Sequence, residues 1–172
     1  MNDLSGRVAL VTGASSGLGA RFAEILAASG AKVAACARRT DRLEELAAKV
    51  RAKGGVVHPV AMDVEDPASI IAGFNEVEKA LGPVDITIAN AGLNAQGAST
   101  ELEADALAQL IRVNIQGVYL TAREAAKRII VGANAERGLQ RPHLGEIEAA
   151  TQRGGHDFLD LVALGYQAFP TA

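Results

Sequence analysis

Hydrophobic positions along the chain switch between two periods. Arg7-Val8-Ala9-Leu10-Val11-Thr12 is a continuous apolar run that stops at Gly13, the pattern of a strand covered on both faces. From Gly17 the spacing lengthens. Leu18, Phe22, Ile25 and Leu26 recur at i, i+4, i+7 and i+8, which predicts a helix with that apolar stripe, stopped by Gly30. Lys32 to Ala37 predicts a second strand. Asp41, with Glu44 three residues on, predicts the cap of a second helix that turns Leu43, Leu46, Ala47 and Val50 inward before Gly54-Gly55. Val56 to Met62 predicts a third strand. The third helix is the best punctuated, with Asp66 at the N-cap, Pro67 at the first helical position, a stripe of Ile70, Phe74, Val77 and Leu81, and Gly82-Pro83 to close it. Val84 to Ala89 predicts a fourth strand, followed by a loop rich in Gly and Asn (Asn90 to Gly97). A long helix follows from about Asp105 to Val131, striped by Leu107, Ile111, Asn114 and Val118.

Strands alternating with single helices specify an α/β fold: a Rossmann-like, doubly wound parallel sheet, truncated after about four strands and four helices. Residues 1–131 are read as one dinucleotide-binding domain. Residues 132–172 are read as an irregular tail, in which only His156 to Phe169 has enough apolar positions for a short terminal helix. Two histidines, His143 and His156, fall in that tail without a second ligand nearby, so no metal site is expected.

Composition narrows the field of functions. Hydrophobic residues make up 49% and charged residues 22%, enough apolar material for a packed core, and no apolar run approaches the length of a membrane span. The opening Met1-Asn2-Asp3 lacks the basic start of a signal peptide. A net charge of −3 with no basic tract argues against nucleic acid as a partner. The single cysteine, Cys36, allows no internal disulfide and fits a reducing cytoplasm.

Candidate chemistry gathers where predicted strands end. Thr12-Gly13-Ala14-Ser15-Ser16-Gly17-Leu18-Gly19 joins the first strand to the first helix. At such a turn backbone N–H groups and the helix dipole favour an anion, glycines admit a pyrophosphate closely, and Ser15 and Ser16 add hydroxyls. The spacing is not G-x-G-x-x-G, and a tight turn without a ligand is the plainer alternative. The second strand ends without the carboxylate that would accept from the ribose hydroxyls of NAD. Arg38 and Arg39 stand there instead, which favours NADP through a guanidinium clamp on a 2′-phosphate, or else two solvated arginines. Asn114 shares a stripe with apolar residues and is read as a buried amide in need of partners.

Thr12-Gly13-x-x-x-Gly17-x-Gly19, Asp63-Val64 after the third strand, Asn90-Ala91-Gly92 after the fourth and Asn114 in the long helix together resemble the short-chain dehydrogenase/reductase family, and within it bacterial 3-oxoacyl-(acyl-carrier-protein) reductase-like members. The resemblance covers about residues 5–131. It implies that Gly13, Ser15, Ser16, Gly17, Leu18 and Gly19 hold the pyrophosphate and that Arg38, with Arg39 beside it, meets the 2′-phosphate. It also implies that Asp63 accepts from the adenine amino group with the Val64 backbone beside it, that Asn90, Ala91 and Gly92 pass under the adenosine ribose and steady the sheet, and that Asn114 holds a water of the proton relay. The family helps to build its dimer through the long helix, so a homo-oligomer through that helix or through the open edge of the fourth strand is expected.

The family's chemistry also needs a Ser on a fifth strand and a Tyr-x-x-x-Lys on the next helix. No serine comes after Ser99, the last lysine is Lys127, Tyr166 is followed four residues on by Pro170, and Tyr119 by Arg123. Three readings stand open: an NADP(H)-dependent oxidoreductase inactive as written, a nucleotide-binding remnant, or an interaction module. The abrupt change after about Gly132 is the expected signature of a shifted reading frame or premature end in the gene.

Overall fold

The computed structural model describes residues 3–94, 100 and 102–136. Four strands, β1 (Val8–Thr12), β2 (Lys32–Ala37), β3 (Val56–Ala61) and β4 (Ile86–Ile88), form one sheet in the order β3-β2-β1-β4. Every pairing is parallel, with Leu10 opposite Ala34 and Thr87, and Ala34 opposite His58. Parallel pairing requires a crossover at each step, and the helices α1 (Gly17–Ala28), α2 (Thr40–Arg51) and α3 (Pro67–Leu81) supply them. After β4, α4 (Ala104–Ile111) runs into a π-helical turn (Arg112–Gly117) and then α5 (Val118–Glu136).

Alternation along the central strands divides the core between two faces. Ala9, Val11, Val33 and Ala35 pack with α1 and α2, while Val8, Leu10, Ala34 and Cys36 pack with α3 and with Ala125 of α5. Both faces are therefore covered, which is why β1 and β2 read as unbroken apolar runs. The arrangement is the doubly wound, Rossmann-like sheet expected. β3 tolerates Pro59 because it is an edge strand. On the other edge, Ile86, Thr87 and Ile88 of β4 are half-buried, and Thr87 Oγ1 is the one buried side-chain polar atom without a hydrogen-bond partner among the described residues.

Three local expectations are corrected. The stripe expected on α1 is not its buried face: Leu18 and Ile25 are exposed, Phe22 and Leu26 are half-buried, and the helix rests on Gly19, Ala23 and Ala27. Small residues win because they let α1 lie close against the strands and the loop beneath it. The cap expected at Asp41 lies two residues earlier. α2 begins at Thr40 with Arg39 at the N-cap, and Asp41 stands in its first turn, while Leu43, Leu46, Ala47 and Val50 are buried. The stripe of the long helix is also rotated: Leu107 and Ile111 are exposed, Asn114 and Val118 half-buried, and the buried positions are Val113, Gly117, Thr121 and Ala125. α3 follows its punctuation, with Asp66 Oδ1 accepting from the Ala68 N–H at 2.9 Å and Ile70, Phe74 and Val77 buried.

The chain divides into two compact units, Met1–Ala125 and Ala126–Ala172, the described part of the second being the continuation of α5 to Glu136. The expected terminal helix from His156 to Phe169, and His143, lie outside the described residues. No described helix is long and apolar enough to cross a membrane.

Candidate functional site

β1 and β4 end side by side, and one buried hydroxyl ties their two exit loops together. Thr12 Oγ1 accepts from the backbone N–H groups of Asn90 (3.1 Å) and Ala91 (3.0 Å), while the Asn90 side-chain amide donates to the Thr12 carbonyl (3.1 Å). Gly13 then turns the chain at φ +68 in a gap so narrow that a Cβ would lie 2.8 Å from Ala91 Cα. Gly17 opens α1 at φ +58 with open space around it. A Cβ at Gly19 would collide with the Gly13 carbonyl oxygen and lie 2.6 Å from Asn90 Nδ2, so this position lets α1 seat on the loop. The N-terminus of α1 carries no side-chain cap and no acidic residue in its first turn. No carboxylate of that turn offsets its positive end.

A cavity of about 390 Å³ lies over these strand ends. Gly13, Ser15, Ser16, Leu18, Arg38, Arg39, Asp63, Val64, Asn90, Ala91 and Gly92 line it, together with Ala37, Met62, Leu93 and Val113. The exposure of Leu18, anomalous for a core stripe, is its position on this rim. Gly17 and Gly19 do not line the cavity but shape the loop that does. The size falls within the ordinary range of small-molecule sites, and the position at the carboxyl ends of a parallel sheet is where such sheets bind ligands.

The two arginines occupy different surroundings. Arg39 reaches across the glycine loop, donating to Ser15 Oγ (2.9 Å from Nη2, 3.3 Å from Nε) and to Ser16 Oγ (2.9 Å). Arg38 turns toward acids instead, with Nη1 3.5 Å from Glu65 Oε1 and 3.9 Å from Asp63 Oδ2. Asp63 is held by its own loop and by the start of α3: its Oδ1 accepts from the Glu65 N–H (3.0 Å) and its N–H donates to Ser69 Oγ (2.9 Å). Oδ2 has Arg38 as its neighbour.

Asn114 makes a reciprocal pair with the backbone of Leu93. Leu93 N–H donates to Oδ1 and Nδ2 donates to the Leu93 carbonyl, both at 2.8 Å. It is half-buried rather than buried, because the π-helical turn presents it to the loop after β4 instead of to the core. Gly117, in the same turn, lets Val64 approach to where a Cβ would meet its carbonyl oxygen at 2.9 Å. Asn114 is thus a positioning residue that fixes Leu93 on the cavity wall. Tyr119 is exposed on α5, and Tyr166 lies outside the described residues. Among the described residues no group of three or more His, Cys, Asp or Glu side chains could hold a metal.

Sequence reasoning quoted Thr12 as the opening of the glycine motif without giving its hydroxyl a role, and it missed Glu65. The ties of Glu65 run to Arg38, Gln109 and Arg112, far from it in sequence.

A profile of the short chain dehydrogenase family matches residues 7–138. An uncharacterized oxidoreductase of Caenorhabditis elegans is 43% identical over 130 residues, which cover 74% of this chain and 42% of that protein. The crystal structure of a short-chain type dehydrogenase/reductase from Mycobacterium marinum superposes with a TM-score of 0.72 at 35% identity, covering 74% of this chain and 52% of that one. A variant of actinorhodin polyketide ketoreductase solved with NADPH superposes with a TM-score of 0.70 at 33% identity, covering 80% of this chain and 52% of that one. The chain spans about half the length of the relatives it matches.

Proposed function

The chain belongs to the short-chain dehydrogenase family, and from that premise we propose that it is the NADP(H)-binding part of an oxidoreductase that moves a hydride between the cofactor and a ketone or alcohol. The single observation that carries this reading is the cavity at the carboxyl ends of the strands, flanked by an acid-free helix N-terminus and two guanidiniums. The residues present suit such a nucleotide. The Gly13–Gly19 loop and the first turn of α1 would receive the pyrophosphate. Arg38 and Arg39, with Ser15 and Ser16, would meet a 2′-phosphate, and Asp63 would accept from the adenine amino group. Asn90, Ala91 and Gly92 would lie under the adenosine ribose, and Asn114 would hold the wall through Leu93. The dinucleotide, when bound, supplies the hydride.

The serine and Tyr-x-x-x-Lys that the family uses for proton transfer are not in this sequence. The 172-residue chain is therefore expected to bind NADP(H) and not to turn over by itself. A cytoplasmic setting belongs to the same proposal and rests on its one cysteine, Cys36, being free and buried.

Titration calorimetry with NADPH and NADH, beside NADPH consumption with a panel of ketones, tests the reading. Saturable binding that favours NADPH, no consumption, and a reversed preference in Arg38→Asp are expected. Absence of binding refutes the cofactor role, consumption refutes the inactivity, and an unchanged NADPH-to-NADH ratio in Arg38→Asp removes Arg38 from the site. A second reading, association with another copy, is favoured by Leu107, Ile111, Ile115 and Tyr119, which recur every four residues and are all exposed. Light scattering that gives the monomer mass at every concentration would refute it.

A further inference from the structure

Glu65 stands two residues beyond Asp63, half-buried, with its backbone N–H fixed on the Asp63 carboxylate. Its two oxygens divide three partners. Oε1 lies 3.5 Å from Arg38 Nη1 and accepts from Gln109 Nε2 at 3.2 Å, while Oε2 lies 3.5 Å from Arg112 Nε. Arg38 therefore faces two carboxylates, Asp63 and Glu65, before any ligand arrives, whereas Arg39 is engaged by serine hydroxyls.

We propose that Glu65 sets the selectivity of the chain between nucleotides with and without a 2′-phosphate, by competing with that phosphate for Arg38 and by presenting a like charge to it. The inference rests on the cofactor reading above and goes beyond it, to a residue that does not line the cavity. Three features support it. Glu65 is the nearer of the two acids to Arg38. It is the less exposed of the two, at 20% against 39%, so its charge is the less screened by water. Arg112 approaches the oxygen of Glu65 that Arg38 does not, and so draws part of the carboxylate's charge away from the cavity. The competition is thereby balanced: Arg38 pulls Glu65 toward the nucleotide corner, and Arg112 with Gln109 pulls it toward α4 and the π-helical turn.

This balance predicts opposite effects from two substitutions of side chains outside the cavity lining. Glu65→Gln keeps the shape and removes the charge, freeing Arg38. Arg112→Gln removes the opposing charge and leaves Arg38 as the only cation on Glu65 among the described residues. The probes are adenosine 2′,5′-bisphosphate and adenosine 5′-monophosphate, which differ only in the 2′-phosphate, titrated calorimetrically into the full chain. Glu65→Gln should raise the preference for the bisphosphate about three- to fivefold, and Arg112→Gln should lower it by about twofold, the scale of a partly exposed ion pair. An unchanged preference in Glu65→Gln overturns the proposal, as does a shift of both variants in the same direction, which would report loosening of the loop. A wild-type chain that prefers the monophosphate refutes the NADP reading, yet opposite shifts in the two variants would still uphold Glu65. No measurable binding in any of the three proteins overturns both.

Discussion

Replacing Gly19 with alanine sets two rules against each other. Gly19 lies in the first turn of α1, and in an exposed helix Gly→Ala stabilises by about 1 kcal/mol. Here the new methyl would collide with the Gly13 carbonyl oxygen and lie 2.6 Å from Asn90 Nδ2. Neither neighbour can swing clear: the first is backbone, and the second is held by its bond to the Thr12 carbonyl. Forcing a methyl into packed surroundings costs about 1–3 kcal/mol, and losing the Asn90 bond adds about 1 kcal/mol. Set against the gain in propensity, Gly19→Ala should lose about 2 kcal/mol. For a chain of this length that lowers the melting temperature by about 4–8 °C. Differential scanning fluorimetry on the purified full chain reads the shift. Gly54→Ala serves as the control, because its strain comes from φ +81 alone, with open space around the added methyl, and it should cost about 1–2 kcal/mol. A Gly19→Ala protein that melts at or above the wild-type temperature would refute the seating of α1 on the glycine loop.

The geometry carries three further expected outcomes. Thr12→Val leaves the Ala91 N–H without its acceptor in a buried setting and should cost about 1–3 kcal/mol in urea denaturation, while Thr12→Ser retains most of the stability; equal losses in the two variants would contradict the role of the hydroxyl. Burial, with the Glu76 charge adding to it, pushes the Cys36 thiol far above its ordinary range, so a chromogenic disulfide reagent at about pH 8 should label Cys36 only after urea is added, and rapid labelling of the native chain would contradict its placement. The hydrogen bond from Lys49, aided by Arg21, lowers the Glu24 carboxyl from 4.5. Its folded value is below its unfolded one, so this contribution is complete above about pH 5 and is lost as pH falls through the folded value. Glu24→Gln should accordingly cost less than about 1 kcal/mol at about pH 7 and nothing at strongly acid pH, by chemical denaturation at both; a constant difference would contradict the assignment.

The sheet was legible because β1 and β2 are buried on both faces and α3 carries its own start and stop. Helix phase held in α2 and α3 and failed in α1 and the long helix. Leu18 and Ile25 satisfy a periodicity rule that rewards large side chains, but the inward face of α1 belongs to Gly19, Ala23 and Ala27, whose merit is the close approach they permit. The same bias misplaced the long helix, where Gly117 admits Val64. The strand-end residues of the site were legible by position, since Gly13, Asp63 and Asn90 each come just after a recognisable strand. Which arginine meets which partner was not. Arg38 and Arg39 are neighbours in sequence, and only the fold sends one to Glu65 and the other to Ser15.

The π-helical turn has a consequence for how this region tolerates change. Val113, Gly117, Thr121 and Ala125 are buried at a spacing of four, wider than the roughly 3.6 residues of an α-helical turn. An underwound turn at the start of that series lets a four-residue spacing stay on one side of the rod. The phase between Asn114 and α5 is thus stored in how many residues the turn contains more than in which ones they are. Substitutions at its exposed positions leave that count intact. Deletion of a single residue between 112 and 117 would rewind the turn and carry Asn114 off Leu93, so this segment guards its length more strictly than its letters.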